Sequence, residues 1–392
     1  MKRRKTAMNF GILFLFACAG LIGPFLSGFR RLSVPLVVGE IGAGILIGQT
    51  GLGLINPADP TMAFLSSVGF AMLVFLVGIK LPLHDANLRK SFKHSFTAVA
   101  LVFALATPVG FLLSELSGLS PAIFILIIGN SSSSVVLPII SERGLSGQTV
   151  FLTKTWIAIA DAATIIALPL AMSTGNIFKV MTGAVVVTLA AVAAYYALRA
   201  FQSSQVGSHY RQLSKYRGWA LDLRISLVLL IGLACLASAF GTSVLVAGFA
   251  AGTVVSLLGH PKRFNKQLIG LAQGFFVPFF FVDLGAKLDV RALLSSASNI
   301  ELALLICVST VVVHVVVSKL VKLPAASGLM ATAQLSLPAA IASIGMTTHT
   351  ITSGQGAAIV GASLLSLITC SVGASMMSRI ADVEHPRQPW EK

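Results

Sequence analysis

The sequence predicts an all-α membrane protein built from about thirteen transmembrane helices. Two observations carry that prediction. Of the 392 residues, 56% are hydrophobic and 10% are charged, whereas soluble domains carry about 25% charged residues. The apolar sequence also falls into uncharged runs of about 20 residues separated by short loops, the length a helix needs to cross hydrocarbon. These runs are too long and too rich in Gly and Ala for the strands of a membrane barrel.

The predicted spans cover 8–28, 34–52, 62–80, 94–116, 120–141, 148–172, 177–200, 221–240, 243–259, 267–287, 299–320, 325–347 and 355–378. The first follows Lys2–Lys5 as a signal peptide would. It continues to Gly28 with no small-residue cleavage site, so it reads as a span. The polar stretch 201–220, with Arg211, Lys215 and Arg217, is expected to be the longest loop.

The net charge of +15 is distributed over loops, where it sets topology and does not mark a nucleic-acid surface. Arg30, Arg31, Arg89, Lys90, Lys93, Lys262, Arg263, Lys266 and Lys322 gather on one side of the predicted membrane. That side, with the C-terminus, is expected to be cytoplasmic in a bacterial inner membrane; Lys2–Lys5 oppose this orientation. Cys18, Cys235, Cys307 and Cys370 lie inside apolar runs and read as packing residues, not as a disulfide framework. The sequence has no phosphate-binding glycine loop, zinc ligand set or nucleophile triad. Neither an enzyme activity nor a cofactor is expected.

Val34–Gly44 and Val244–Gly252 share a Gly- and Val-rich pattern. Gly69-Phe70 followed by Lys80-Leu81 is matched by Gly274-Phe275 followed by Lys287-Leu288. The offset is seven spans, an odd number, which inverts the second copy across the membrane. The expected repeats are 34–172 and 243–378, with 177–240 as linker, in a single transporter domain. Gly44/Gly48 and Gly248/Gly252 also carry the four-residue spacing that permits close helix contact.

An ionisable group deep in a span costs about 2.5–3.5 kcal/mol on insertion scales, so each needs a reason. The deep candidates are Glu40, Lys154, Asp161, Asp283 and His314. Asp161 sits in Trp-Ile-Ala-Ile-Ala-Asp-Ala-Ala-Thr, 156–164. A carboxylate there can hold a dehydrated cation or a proton, but not comfortably both. His314 lies in a Val-rich run, and the ordinary pKa of a histidine is near neutrality; a nearby Asp161 would hold it protonated. Asp283 and Lys287, four residues apart, can pair on one helical face. Lys154 lies two turns before Asp161 on a similar face and is expected to reach the cytoplasmic interface. Physics alone assigns Glu40 no role.

Two spans carry breaking signals. Asn130-Ser131-Ser132-Ser133-Ser134 precedes Pro138, and Gln334-Leu-Ser336-Leu precedes Pro338. Proline lacks the N–H that a helix interior needs. Both spans are therefore expected to break, freeing carbonyls and half-helix ends that can coordinate ions.

Val34-Pro-Leu-Val-Val-Gly-Glu-Ile-Gly-Ala-Gly-Ile-Leu-Ile-Gly48 resembles the opening motif of the bacterial monovalent cation/proton antiporters, the sodium/proton and Kef-type potassium/proton branch. Phe75–Gly78, the Ser-rich run with Glu142-Arg-Gly-Leu145, Ala247–Gly252 and Phe279–Gly285 follow in order along almost the whole chain. The resemblance implies two inverted five-helix repeats, two crossing broken helices, a homodimer and an elevator motion. It implies Asp161 as the binding residue for Na⁺ or K⁺ and H⁺; from the break in their own span, Asn130, Ser131, Ser132 and Ser133 are expected beside it. It places His314 about where many members carry a Lys, with Gln334 and Ser336 as further coupling residues. Departures are Ala160 before the aspartate, His314 for Lys, Gln49 for the usual Pro, and no Arg or Glu in the twelfth span. They favour electroneutral exchange or an altered choice of substrate. The chain ends about 14 residues after the last predicted span, so no soluble regulatory domain is expected. A transport-inactive sensor and a sodium-coupled organic-anion symporter remain as alternatives.

Overall fold

A computed structural model describes residues 10–27, 36–56, 59–79, 86–172, 177–259 and 262–383. Lys2–Lys5, Arg30 and Arg31 lie outside these residues, as do the side chains of Arg89, Lys90, Lys262 and Arg263. The chain is helical almost throughout. It begins with α1 (Phe10–Ser27), α2 (Leu36–Ile47), α3 (Pro60–Ile79), α4 (Ala86–Ser117), α5 (Pro121–Gly129) and α6 (Ser133–Glu142). Next come α7 (Gln148–Ala171), α8 (Ile177–Ser203), α9 (Gln205–Arg217), α10 (Leu221–Ala239), α11 (Val244–Leu258), α12 (Lys262–Leu271) and α13 (Val277–Lys287). The last are α14 (Val290–Ser295), α15 (Ala297–Leu320), α16 (Ala325–Ala331), α17 (Ser336–Thr347) and α18 (Ser353–Met377). Leu145–Ser146 and Asp382–Val383 pair as a two-residue antiparallel ladder.

Among the described residues, nine helical segments are long and apolar enough to cross a membrane, and three shorter helices are apolar. Their outer faces are apolar too: Val228 is 71% exposed and Phe178 76%. Such continuous apolar exposure needs lipid as its solvent.

Three local features differ from the expected spans. The polar stretch after α8 is not a loop but the helix α9. Ser204 caps its start by accepting a hydrogen bond from Gly207 N at 3.0 Å, and Gly218 ends it at φ 70°. The span closed by α13 contains a π-helical turn at Ala272–Phe276. Pro278 follows it and has no N–H to give to the carbonyl of Gly274, so the ladder widens there. Finally, α15 ends with Lys322 in the left-handed region at φ 57°, while Leu323 N donates to Ser318 O at 2.7 Å and Lys322 N to Lys319 O at 3.0 Å. This is the position that usually takes Gly; any other residue costs about 1–2 kcal/mol there.

The helices form two compact units, each built from two stretches of the chain. Unit one contains α1–α3 and α8–α13. Its contacts rest on glycine. A Cβ on Gly44 would strike the carbonyl of Val282, one on Gly48 the backbone of Ala286, and one on Gly285 the carbonyl of Ile41, so α2 and α13 touch backbone to backbone. Gly248 and Gly252 set the same approach of α11 to Ala71 and Phe75 of α3. Phe16 of α1 stacks on Phe279 of α13 at 4.3 Å beside them. Unit two contains α4–α7 and α14–α18. There α4 packs on α5, α7 and α15, and α18 packs on α15, α16 and α17.

The crossing of α2 and α13 yields a prediction of opposite signs. Gly285→Ala should lower the unfolding temperature in detergent, because overpacking costs about 1–3 kcal/mol. A methyl on Gly42 would meet no heavy atom within 4 Å, so Gly42→Ala should hold or raise it through helix propensity. A thermal shift series on the two variants checks the contrast.

Candidate functional site

The site lies in unit two, where two membrane segments lose their helical hydrogen bonding. The segment 121–142 unwinds at Asn130–Ser132, between α5 and α6. The segment 325–347 unwinds at Thr332–Leu335, between α16 and α17. Both breaks lie N-terminal to the expected positions. Pro338 is the third residue of α17, in a first turn where no N–H is required, so it starts a helix and does not break one. The backbone of Pro138 falls within α6, and the side chains of Pro138 and Ser134 lie outside the described residues. At Asn130–Ser132 the short polar side chains themselves compete with helical bonding.

The two breaks satisfy each other. Ser132 N donates to Ala333 O at 2.7 Å. Ser131 Oγ donates to Ala331 O at 2.6 Å. Gln334 Nε2 reaches toward Asn130 O at 3.5 Å and Thr310 Oγ1 at 3.4 Å. Gln334 N donates to Ser366 Oγ of α18 at 3.2 Å. Asn130, Ser131, Ser132, Ser133, Gln334 and Ser336 are all buried.

Asp161 enters from α7, fully buried. Ser133 N, at the start of α6, donates to its Oδ2 at 2.9 Å. A helix N-terminus offers free donors and favours negative charge. Three residues on, one helical turn away, Thr164 Oγ1 lies 2.9 Å from Asn130 Oδ1 and 2.9 Å from Ala160 O, so its single proton serves both. Thr153 Oγ1 donates to Ser327 Oγ of α16 at 2.8 Å. The helix α7 is thus bound to both broken segments.

His314, fully buried on α15, faces the same break. Its Nδ1 lies 2.9 Å from Thr310 O, which can only accept, so Nδ1 carries a proton. Nε2 stands 3.4 Å from Ser131 Oγ. Trp156 of α7 stacks on the imidazole at 5.8 Å and 12°. The polar contacts of His314 therefore go to Ser131 and Thr310, in place of the expected direct pairing with Asp161.

The other expected residues stand elsewhere. Lys154 is half-buried on α7, seven residues before Asp161. Glu40 and Asp283 belong to unit one. Glu40 is buried and its carboxyl oxygens have no hydrogen-bond partner among the described residues. Asp283 is paired, its Oδ2 2.7 Å from Lys287 Nζ. Sequence reasoning missed Thr164, Thr310, Trp156 and Ser366. The first two carry a legible signal, at i+3 from Asp161 and i−4 from His314.

The break beside Asp161 carries backbone carbonyls, serine hydroxyls and the side-chain amides of Asn130 and Gln334. Ser336 Oγ and Asn130 Nδ2 are buried without a partner among the described residues. Within those residues, no group of three or more His, Cys, Asp or Glu gathers as a transition-metal site would require. An oxygen-lined break with one carboxylate suits an alkali cation or a proton.

Comparison with known proteins decides the family. The family described as "Sodium/hydrogen exchanger, transmembrane" matches residues 13–378. The chain belongs to the sodium/hydrogen exchanger family. YjbQ of Bacillus subtilis, named as a candidate Na(+)/H(+) antiporter, is 31% identical over 381 residues, covering 88% of this chain and 59% of that protein. The chloroplastic K(+) efflux antiporter 1 of Arabidopsis thaliana is 30% identical over 305 residues, 72% of this chain and 25% of that protein. The chain thus spans less than two thirds of either relative's length. The sodium proton antiporter MjNhaP1 of Methanocaldococcus jannaschii at pH 8 shares the fold, with a TM-score of 0.67 at 17% identity over 95% of this chain and 98% of that one.

The geometry predicts that Thr164→Val destabilises the protein in detergent, by about 1–3 kcal/mol for the acceptors left buried. Thr182→Val is the control, since Thr182 is exposed on α8 and, among the described residues, bonds only within its own helix, to Phe178 O. Equal thermal shifts in the two variants would contradict the placement of Thr164.

Proposed function

We propose that this chain exchanges a monovalent cation, Na⁺ or K⁺, for H⁺ across a bacterial inner membrane, with Asp161 as the group both ions share. One observation carries the reading: a fully buried carboxylate set at the N-terminus of a half-helix, in the crossing of two unwound segments. A proton on Asp161 leaves it neutral. When the proton departs, the carboxylate attracts a cation, and Asn130, Ser131, Ser132, Ser133 and Ser336 offer oxygens to replace its water. Either loaded form carries the same net charge, while the bare carboxylate is expensive in hydrocarbon. Only loaded forms cross, which is exchange.

The stoichiometry follows from the same accounting. Ala160 is buried where a second polar or acidic group would stand, so one carboxylate trades one proton for one monovalent cation, and exchange is electroneutral. His314 and Gln334 hold the breaks in register and tune access; they are positioning residues in this scheme. An elevator motion needs separately packed bodies, and the chain has two compact units. The inverted repeats over 34–172 and 243–378, the homodimer and a cytoplasmic C-terminus belong to the same reading and rest on the sequence resemblance.

The test is transport in proteoliposomes with an internal pH dye. An imposed proton gradient should be dissipated by added Na⁺ or K⁺ in the native protein. It should persist in Asp161→Asn that elutes as folded protein; retained exchange in that variant would remove the central residue from the scheme. Imposing an inside-negative potential should leave the initial rate unchanged. A rate that follows the potential would contradict electroneutral exchange.

A further inference from the structure

A second site is written into unit two, at one end of α4 and α15. Lys93, His94 and Leu101 of α4 and Leu320, Val321 and Lys322 at the end of α15 line an open groove of about 500 Å³. Its described lining includes no carboxylate. Lys93 is the second residue of the apolar segment Phe92–Ser117, and Leu320 is the last residue of the apolar segment Ala297–Leu320. The charged rim therefore sits where hydrocarbon ends. Leu101 lies eight residues along the helix from Lys93, about 12 Å deeper at 1.5 Å per residue. An occupant matched to this groove is anionic at one end and apolar along its length.

Two further observations point to a ligand. His94 Nε2 is covered and has no hydrogen-bond partner among the described residues. Lys322 occupies the left-handed position at the end of α15 that favours Gly, and strain of this kind persists where a side chain is needed in place. Lys322 and Lys93 both line the groove.

We propose that this groove binds one anionic phospholipid. Its phosphate lies between Lys93, His94 and Lys322, and an acyl chain runs along Leu101 and Leu320. A soluble phosphate would use the rim but leave the apolar wall uncovered. The inference is independent of the transport reading, because no residue at the groove belongs to the Asp161 site.

The experiment is native mass spectrometry of the full chain in detergent with phosphatidylglycerol, with phosphatidylcholine, and with phosphatidylglycerol plus excess inorganic phosphate. The native protein should retain one phosphatidylglycerol in preference to phosphatidylcholine, and inorganic phosphate should not displace it. Lys93→Gln with Lys322→Gly should lower phosphatidylglycerol occupancy about ten-fold, since each surface lysine contributes to anionic-lipid attraction, and leave phosphatidylcholine unchanged. Lys322→Gly alone should raise the unfolding temperature, because Gly suits the backbone there, so lipid loss is separated from misfolding. Equal retention of the two lipids, unchanged occupancy in the double variant, or displacement by inorganic phosphate would each overturn the proposal.

Discussion

Inside hydrocarbon every peptide group must find a partner within the protein, and the rest of unit two depends on how this chain meets that constraint. Two segments give up their helical bonding, at Asn130–Ser132 and at Thr332–Leu335. Neither could do so alone without stranding donors and acceptors. Crossed, they supply each other: Ser132 N reaches Ala333 O, and Ser131 Oγ reaches Ala331 O. The crossing is what permits a free helix N-terminus and polar oxygens to exist inside an apolar body. Asp161 then needs only to be carried to that point by α7, where Ser133 N receives it.

The surrounding bonds make the arrangement one network. Thr153 ties α7 to α16, Thr164 ties it to Asn130, and Trp156 stacks on His314, which in turn meets Ser131. Changes at any of these residues are expected to couple, because buried polar networks are not sums of pairs. Unit one shows the opposite construction. Its contacts come from glycines that bring backbones together, Gly44 and Gly285 between α2 and α13, and Gly248 and Gly252 of α11 against α3. Such contacts are stiff and specific without polar groups. The Asp283–Lys287 pair, whose carboxylate is buried, is a local exception.

Much of this was legible in the sequence. The helical membrane class followed from long uncharged runs, and Asp161 stood out because nothing in its own helix accounts for a carboxylate. The paired glycines were visible by spacing, but not their partners, because spacing says nothing of the facing helix. The prolines misled slightly: Pro338 opens α17, and the unwinding lies before it, since proline fits a first turn. The helix α9 was readable from Ser204 and Gly218, whose capping roles were overlooked in a stretch that looked merely polar. The partners of His314 were not legible, because Ser131 lies 183 residues away in sequence and only the crossing brings it there.

The central claim is that cation and proton compete for one carboxylate. The most direct measurement is proton release on cation binding, with purified protein in weakly buffered detergent solution and a pH indicator, titrated with Na⁺ or K⁺. The account predicts proton release on cation binding that approaches one proton for each cation as the solution is made acid enough to protonate Asp161 before the cation arrives. Cation binding without proton release, measured calorimetrically in the same sample, would contradict it.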